Sequence, residues 1–276
     1  MSGFRPRITL CVPHWQVKDY ITVCLRSIRK HSEKYNLEVI VVDNGSRDDS
    51  LDYLRSLEWI RLIERPQERH TNWPGNVFTA WDRGLKEATG EYFVTMHSDV
   101  FIKRDDWLDP FLREIERDPQ IAASGSGKLV IEHPLYSWQK RVVGYVNGSI
   151  KQRLGRKKNV SWNEKPYPRD YCALYRRDVL LEHDLTFECL DHRGGGYSIA
   201  TQLWNAGYRM GMFPVREMAE KLVHIAHGTA AAVPEKPLNH RQAQKKVERK
   251  MKTLFEEDWI NELQSEEALD SVRPAA

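Results

Sequence analysis

The sequence is poor in the features that would take it out of the ordinary globular class. Cysteine occurs only four times in 276 residues. Cys11, Cys24, Cys172 and Cys189 form no close pair, which excludes a disulfide framework or a zinc-ligand spacing. No apolar run approaches the roughly 20 residues that cross a bilayer. The opening Met1-Ser2-Gly3-Phe4-Arg5-Pro6-Arg7 lacks the apolar stretch and small-residue cleavage site of a secretory leader, so a cytoplasmic location is the expectation. Neither sign of charge prevails: 42 Lys+Arg stand against 39 Asp+Glu, a net +3 interspersed nearly throughout, which argues against nucleic acid as a partner. Internal repeats and low-complexity tracts are also absent.

What is present suffices for one large domain with an appended tail: 41% hydrophobic residues in a chain of this length can bury a substantial core. Ile8 to Val12 is a short apolar run ended by Pro13, a buried strand entering a loop. Tyr20, Cys24, Leu25 and Ile28 recur at helical spacing up to His31. Glu38 to Val42 is a second strand, ending in Asp43-Asn44-Gly45-Ser46, with Asp48 or Asp49 placed to cap a helix bearing Leu51, Leu54 and Leu57. Ile60 to Ile63 reads as a third strand, Pro74 to Ala88 as a helix, Gly90 as its stop, and Glu91 to Met96 as a fourth strand. A helical face at Trp107, Phe111, Leu112 and Ile115 follows, then Ile121 to Ala123, a strand from Cys172 to Tyr175, a helix from Ser198 to Ala206 and a last strand from Tyr208 to Phe213. Strands alternating with helices imply parallel pairing through right-handed crossovers. The expected fold class is therefore α/β, a doubly wound, mostly parallel sheet. The expected division is one domain over 1–237, with a distinct portion about 128–237, and a helical extension over 238–276.

The most telling tripeptide is His97-Ser98-Asp99, directly after the apolar run Tyr92 to Met96. Open α/β sheets bind ligands at the carboxyl ends of their strands, and a carboxylate there can hold a divalent cation through hard oxygen contacts. Around it stand Val12-Pro13-His14-Trp15, the run from Val41 to Ser50, Asn72-Trp73-Pro74-Gly75-Asn76, Tyr171 to Asp178, Leu185 to Glu188, and His224-Ile225-Ala226-His227-Gly228-Thr229.

Together these segments, from about Ile8 to Thr229, resemble the family 2 glycosyltransferases of the A-type fold. The resemblance implies transfer of a sugar from a nucleoside diphosphate, a UDP-sugar favoured, to an acceptor hydroxyl on a glycan, a lipid-linked carrier or a small molecule. Asp43 would then accept hydrogen bonds from the nucleoside, with Gly45 in the turn after it and Pro13 and Trp15 lining the base pocket; the bland alternative is that Asp43 caps the next helix. Asn72, Gly75 and Asn76 correspond to a segment where a small residue lets the backbone approach the nucleotide. Where relatives carry Asp-x-Asp, this chain has His97, Ser98 and Asp99. His97 and Ser98 are expected on the nucleotide sugar, and Asp99 on a divalent cation, Mn2+ or Mg2+, with His97 also able to ligate manganese. A histidine completes the shell in metal-dependent relatives, here His224 or His227.

The resemblance weakens at the base. Inverting relatives place a pair of acids before the helix that ends near Gly207, and this chain reads Gly194-Gly195-Gly196. Asp191, Glu188 and His192 are the candidates nearby. Losing the paired acids keeps two alternatives open, a retaining transferase and a binding module without catalysis. A nucleotidyltransferase would need a Gly-rich basic loop after the first strand, which Pro13-His14-Trp15-Gln16 is not. In the tail, Val247, Met251, Leu254, Phe255 and Trp259 form an apolar stripe among Lys245, Lys246, Arg249, Lys250 and Lys252. Such a stripe serves packing, a homodimer, or contact with an anionic membrane.

Overall fold

The computed structural model describes residues 5–68, 75–129, 165–190, 194–226, 228–232 and 241–271. Seven strands form the main sheet: β1 (Arg7–His14), β2 (Asn36–Asp43), β3 (Arg61–Glu64), β4 (Tyr92–Met96), and, past a short β5 (Val100–Ile102), β6 (Ile121–Gly125), β7 (Cys172–Arg176) and β8 (Arg209–Met212). Their order is β3-β2-β1-β4-β7-β6-β8, parallel except for β7, which runs antiparallel to both β4 and β6. The helices are α1 (Lys18–His31), α2 (Ser50–Ser56), α3 (Gly75–Glu87), α4 (Asp109–Glu116), α5 (Arg177–Glu182), α6 (Gly195–Asn205), α7 (Val215–Lys221), α8 (Gly228–Ala232), α9 (Arg241–Phe255) and α10 (Asp258–Ser265). A fully covered sheet needs apolar residues on both sides of each strand, and β1 and β2 supply them alternately. Leu10, Val12, Val39 and Val41 face a core layer with α1 and α4, while Cys11, Ile40 and Val42 face a second layer with α3 and α6. The doubly wound expectation therefore holds.

Four local readings are corrected. Pro13 does not end β1, which continues to His14 beside β2. The His14 carbonyl accepts from Asn44 N–H on the β2 side. Alternation therefore turns Pro13 toward β4, where the ladder has already stopped at the Cys11↔Thr95 pair, and its missing N–H costs nothing there. Of the two acids placed to cap α2, Asp49 does not, since it binds Lys18 Nζ at 2.8 Å, whereas Asp48 Oδ1 accepts the Ser50 N–H of the first turn at 3.3 Å while its Oδ2 takes the Val17 N–H at 2.8 Å. Tyr208 to Phe213 is not the last strand, since β9 (Leu222–His224) follows and pairs antiparallel with β5, Val100 opposite His224. Finally, the tail is two helices, not one.

That tail lies against α1. Leu254, Ile260 and Leu263 are buried in the same cluster as the sheet's first layer, and Val247, Met251, Phe255 and Trp259 pack onto it. Tyr20 lies beside Phe255, ring centroids 5.7 Å apart, and Arg26, 5% exposed, binds Asp270 and the Leu263 carbonyl. The apolar stripe is thus covered by the chain's own core, while Lys245, Arg249 and Lys252 stay exposed. Among the described residues no helix is long and apolar enough to cross a membrane.

Candidate functional site

Strand order reverses between β1 and β4, the switch point where open sheets leave a crevice. The carboxyl ends of β1, β2 and β4 bring His14, Asp43 and the His97–Asp99 turn to this edge. Antiparallel pairing of β5 with β9 carries His224 across to the same place.

The turn is built to hold Asp99 inward. Val100 N–H closes on the His97 carbonyl at 3.2 Å, and His97 N–H donates to the Tyr171 carbonyl at 3.0 Å. Asp99 is 5% exposed, and its Oδ2 accepts the Gly228 N–H at 3.0 Å. A side chain at residue 228 would crowd that oxygen, since a Cβ there would lie 3.2 Å from it. Oδ1 stands 3.3 Å from His224 Nε2 and 3.8 Å from His97 Nδ1. Both Asp99 Oδ1 and His224 Nε2 are buried and, among the described residues, neither makes a well-formed hydrogen bond. Burial pushes the Asp99 carboxyl up, but the His224 imidazole, then His97 and the Gly228 N–H, outweigh it and hold the group well below the ordinary carboxylate range.

Both imidazoles are positioned by aromatic faces. His97 stacks on buried Trp81 of α3, centroids 5.5 Å apart at 22°, and His224 stacks on Tyr171 at 4.6 Å and 17°. Tyr171 donates its hydroxyl to the Gly127 carbonyl at 3.1 Å, and Lys250 of α9 donates to the His224 carbonyl. One ligand atom from each of His97, Asp99 and His224 lies within 4.8 Å of the others. Two imidazoles and a carboxylate, with Asp99 Oδ1 and His224 Nε2 buried and without hydrogen bonds among the described residues, fit a divalent cation such as Mn2+. The second histidine, His227, lies outside the described residues.

The second motif is a clamp around a strained loop. Asp43, 1% exposed, accepts the Gly45 and Ser46 N–H groups, each at 3.0 Å, on Oδ2. It therefore closes the Gly-Ser turn rather than capping α2, and leaves Oδ1 buried without a partner. Gly45 sits at φ +77°, and a Cβ there would meet the Glu68 carbonyl oxygen at 3.1 Å, so glycine is required. Ser46 Oγ takes the Gln16 N–H at 2.8 Å, Asp48 takes that of Val17, and Ser50 Oγ bonds His14 Nε2 at 2.8 Å. These bonds hold Gln16 and Val17 at φ 52° and 65°, values a β-branched side chain adopts only under constraint. Trp15, at the base of this loop, is 3% exposed.

Arg65 joins the ends of β2 and α3, donating to Asn44 Oδ1 at 2.9 Å and to the Asn76 carbonyl at 3.2 Å. Asn76 is 1% exposed, yet among the described residues neither polar atom of its side chain has a hydrogen-bond partner. An unmatched buried amide costs free energy unless something pairs with it, which fits its expected place on a ligand. Gly75 opens α3 beside it, and Asn72 lies outside the described residues. Gly84 serves packing instead: a Cβ there would stand 2.3 Å from Cys11 Sγ, so its absence lets α3 lie on β1.

Past β7, the turn ahead of Glu188 is fixed by Asp82, which accepts the Thr186 hydroxyl at 2.6 Å and the Phe187 N–H at 2.8 Å. Glu188 is exposed and tied by its backbone, its carbonyl accepting Ser198 Oγ at 2.7 Å. Asp191 and His192 lie outside the described residues. Sequence reasoning missed Trp81, Tyr171, Gly228 and Ser46. Tyr171 stood there only as the start of the Tyr171 to Asp178 segment, and its contact with His224 depends on the β5–β9 pairing, invisible in two three-residue strands.

Residues 9–183 match the model of Glycosyl transferase family 2. A Haemophilus influenzae uncharacterized glycosyltransferase is 23% identical over 269 residues, 91% of this chain and 74% of its own length. A Methanococcus voltae dolichyl N-acetyl-alpha-D-glucosaminyl phosphate 3-beta-D-2,3-diacetamido-2,3-dideoxy-beta-D-glucuronosyltransferase is 25% identical over 122 residues, 43% of this chain, which thus spans well under half (38%) of that relative. Among solved structures, the Pyrobaculum calidifontis mannosyltransferase PcManGT, in complex with GDP-Man and Mn2+, has the same fold. Its TM-score is 0.55 at 20% identity, covering 97% of this chain and 86% of that one. With the family's model matching more than half of its length, the chain belongs to glycosyltransferase family 2.

Proposed function

We propose that this chain transfers a sugar, with inversion, from a nucleoside diphosphate donor to an acceptor hydroxyl, with a divalent cation at His97, Asp99 and His224. The observation that carries the reading is the pair of buried, partnerless atoms, Asp99 Oδ1 and His224 Nε2, 3.3 Å apart at the switch point. A bound cation would neutralise the diphosphate charge and so make it a better leaving group. The residues do the rest. Asp99 supplies the buried negative charge of the cluster that would attract a cation, and the stacked imidazoles of His97 and His224 stand beside it as further ligands. Ser98 and His97 line the edge where the diphosphate would lie. Asp43 Oδ1 is a free acceptor for a nucleobase imide N–H, which uracil and guanine both carry, with Pro13, Trp15, Gly45, Gly75 and Asn76 around it. Two similar proteins, a glucuronosyltransferase and a mannosyltransferase in complex with GDP-Man and Mn2+, support the same class of donor. The exposed Lys245, Arg249 and Lys252 suit an anionic acceptor, a lipid-linked one at a membrane surface included.

A second reading, a module that binds nucleotide sugars without transferring them, is favoured by the glycines at the first turn of α6, where relatives carry acids. Replacing Asp99 by Ala tests the first: transfer should disappear while circular dichroism and the unfolding midpoint hold, and a variant with full turnover would remove Asp99 from the mechanism. Under the second reading the wild-type chain binds UDP in calorimetry and turns over no donor.

A further inference from the structure

Asp170 occupies the space that the missing acid would fill. A Cβ built on Gly196, in the first turn of α6, would stand 3.1 Å from Asp170 Cβ and 3.2 Å from its Cγ. A side chain at residue 196 and the Asp170 carboxylate therefore compete for one place. Asp170 is held in a tight turn ahead of β7, with Arg169 N–H on the Ser126 carbonyl at 2.9 Å and Cys172 N–H on the Arg169 carbonyl at 3.3 Å. The next residue, Tyr171, accepts the His97 N–H and stacks on His224, so the turn that presents Asp170 is joined directly to the cation-binding cluster. Asp170 is partly exposed, and among the described residues nothing holds its carboxylate in a hydrogen bond or an ion pair. Glu188, by contrast, is exposed and tied to α6 by its backbone carbonyl, which accepts Ser198 Oγ at 2.7 Å.

We propose that Asp170 is the general base, supplied from β7's entry turn in place of the acids absent from α6. The assignment rests on the inverting transfer proposed above. The acceptor hydroxyl oxygen forms a bond to the anomeric carbon and its proton passes to Asp170. The bond from that carbon to the diphosphate oxygen breaks, its electron pair leaving with the diphosphate.

The test uses the full chain, the UDP- or GDP-sugar that it turns over and a p-nitrophenyl glycoside acceptor. Asp170→Asn should keep manganese-dependent binding of the nucleoside diphosphate and slow transfer roughly 10²- to 10⁴-fold. Sodium azide, a nucleophile with no proton to lose, should restore turnover as glycosyl azide, which a merely structural role would not allow. Asp170→Gly combined with Gly196→Asp should recover part of the transfer that Asp170→Gly alone loses. Asp170→Asn within tenfold of wild type, with Glu188→Gln inactive, would overturn the assignment and leave the transferase reading standing. A wild-type chain that binds UDP or GDP yet turns over no donor would overturn both.

Discussion

Gly84 shows how little room the two sheet faces leave. Adding one methyl there sets carbon 2.3 Å from Cys11 Sγ, so α3 must draw back from β1. We expect Gly84→Ala to lose about 1–3 kcal/mol from overpacking, more than the roughly 0.5–1 kcal/mol that alanine gains over glycine in a helix. The urea midpoint should fall with an unchanged slope. His14 gives a second residue-scale prediction. Burial drives its imidazole down to about 4 against the upward pull of Asp43 and Asp48, so at neutral pH it is uncharged on Ser50. Its ordinary value is 6.5 and its folded value lies lower. Its contribution to stability is therefore complete above about 6.5 and falls away as the pH drops toward 4. Urea unfolding at pH 7 and pH 5 should show a smaller difference for His14→Gln than for the wild type. Asp43 was legible in the sequence as a strand-end acid with two readings, a nucleoside contact or a helix cap. The structure removes the cap by spending Oδ2 on the Gly45 turn, and leaves Oδ1 without a hydrogen bond among the described residues.

At the scale of elements, the two tail helices are fastened to α1 by one buried ion pair and one exposed one. Arg26 and Asp270 meet at 2.6 Å with side-chain exposures of 6% and 23%, and Lys30 and Glu266 at 2.9 Å with 35% and 41%. Removing the Asp270 carboxylate strands a buried guanidinium and also deprives the Tyr53 hydroxyl of its acceptor. Asp270→Ala should cost about 1–3 kcal/mol, while Glu266→Ala should cost under about 1 kcal/mol. Thermal denaturation of both variants measures the difference. The long elements here could be read from apolar periodicity, as in α1 and α9. The short ones could not: β5 and β9 have three residues each, all too few to show alternation, yet they carry His224 to Asp99. The break between α9 and α10 escaped for a related reason, since the apolar stripe continues across it from Phe255 to Trp259.

For the whole molecule, the alternation of strands and helices made the doubly wound sheet and its ligand edge visible before any coordinates. The antiparallel insertion of β7 was not, because Cys172 to Tyr175 is buried on both faces whichever way it runs. That reversal matters to the site. It brings the entry turn of β7, with Asp170 and Tyr171, to the edge where β4 ends at His97. His97-Ser98-Asp99 marked the place from the sequence, but the cluster of one acid and two histidines is completed only by His224 from a second, distant segment. The central claim, that this cluster holds a cation which in turn holds a diphosphate, is tested most directly by calorimetry of UDP and GDP binding in Mn2+ and in EDTA, for the wild type and Asp99→Asn. The account predicts binding that Mn2+ strengthens at least tenfold in the wild type and not in the variant. Equal affinity in Mn2+ and EDTA, or an Asp99→Asn variant that keeps the manganese effect, would contradict it.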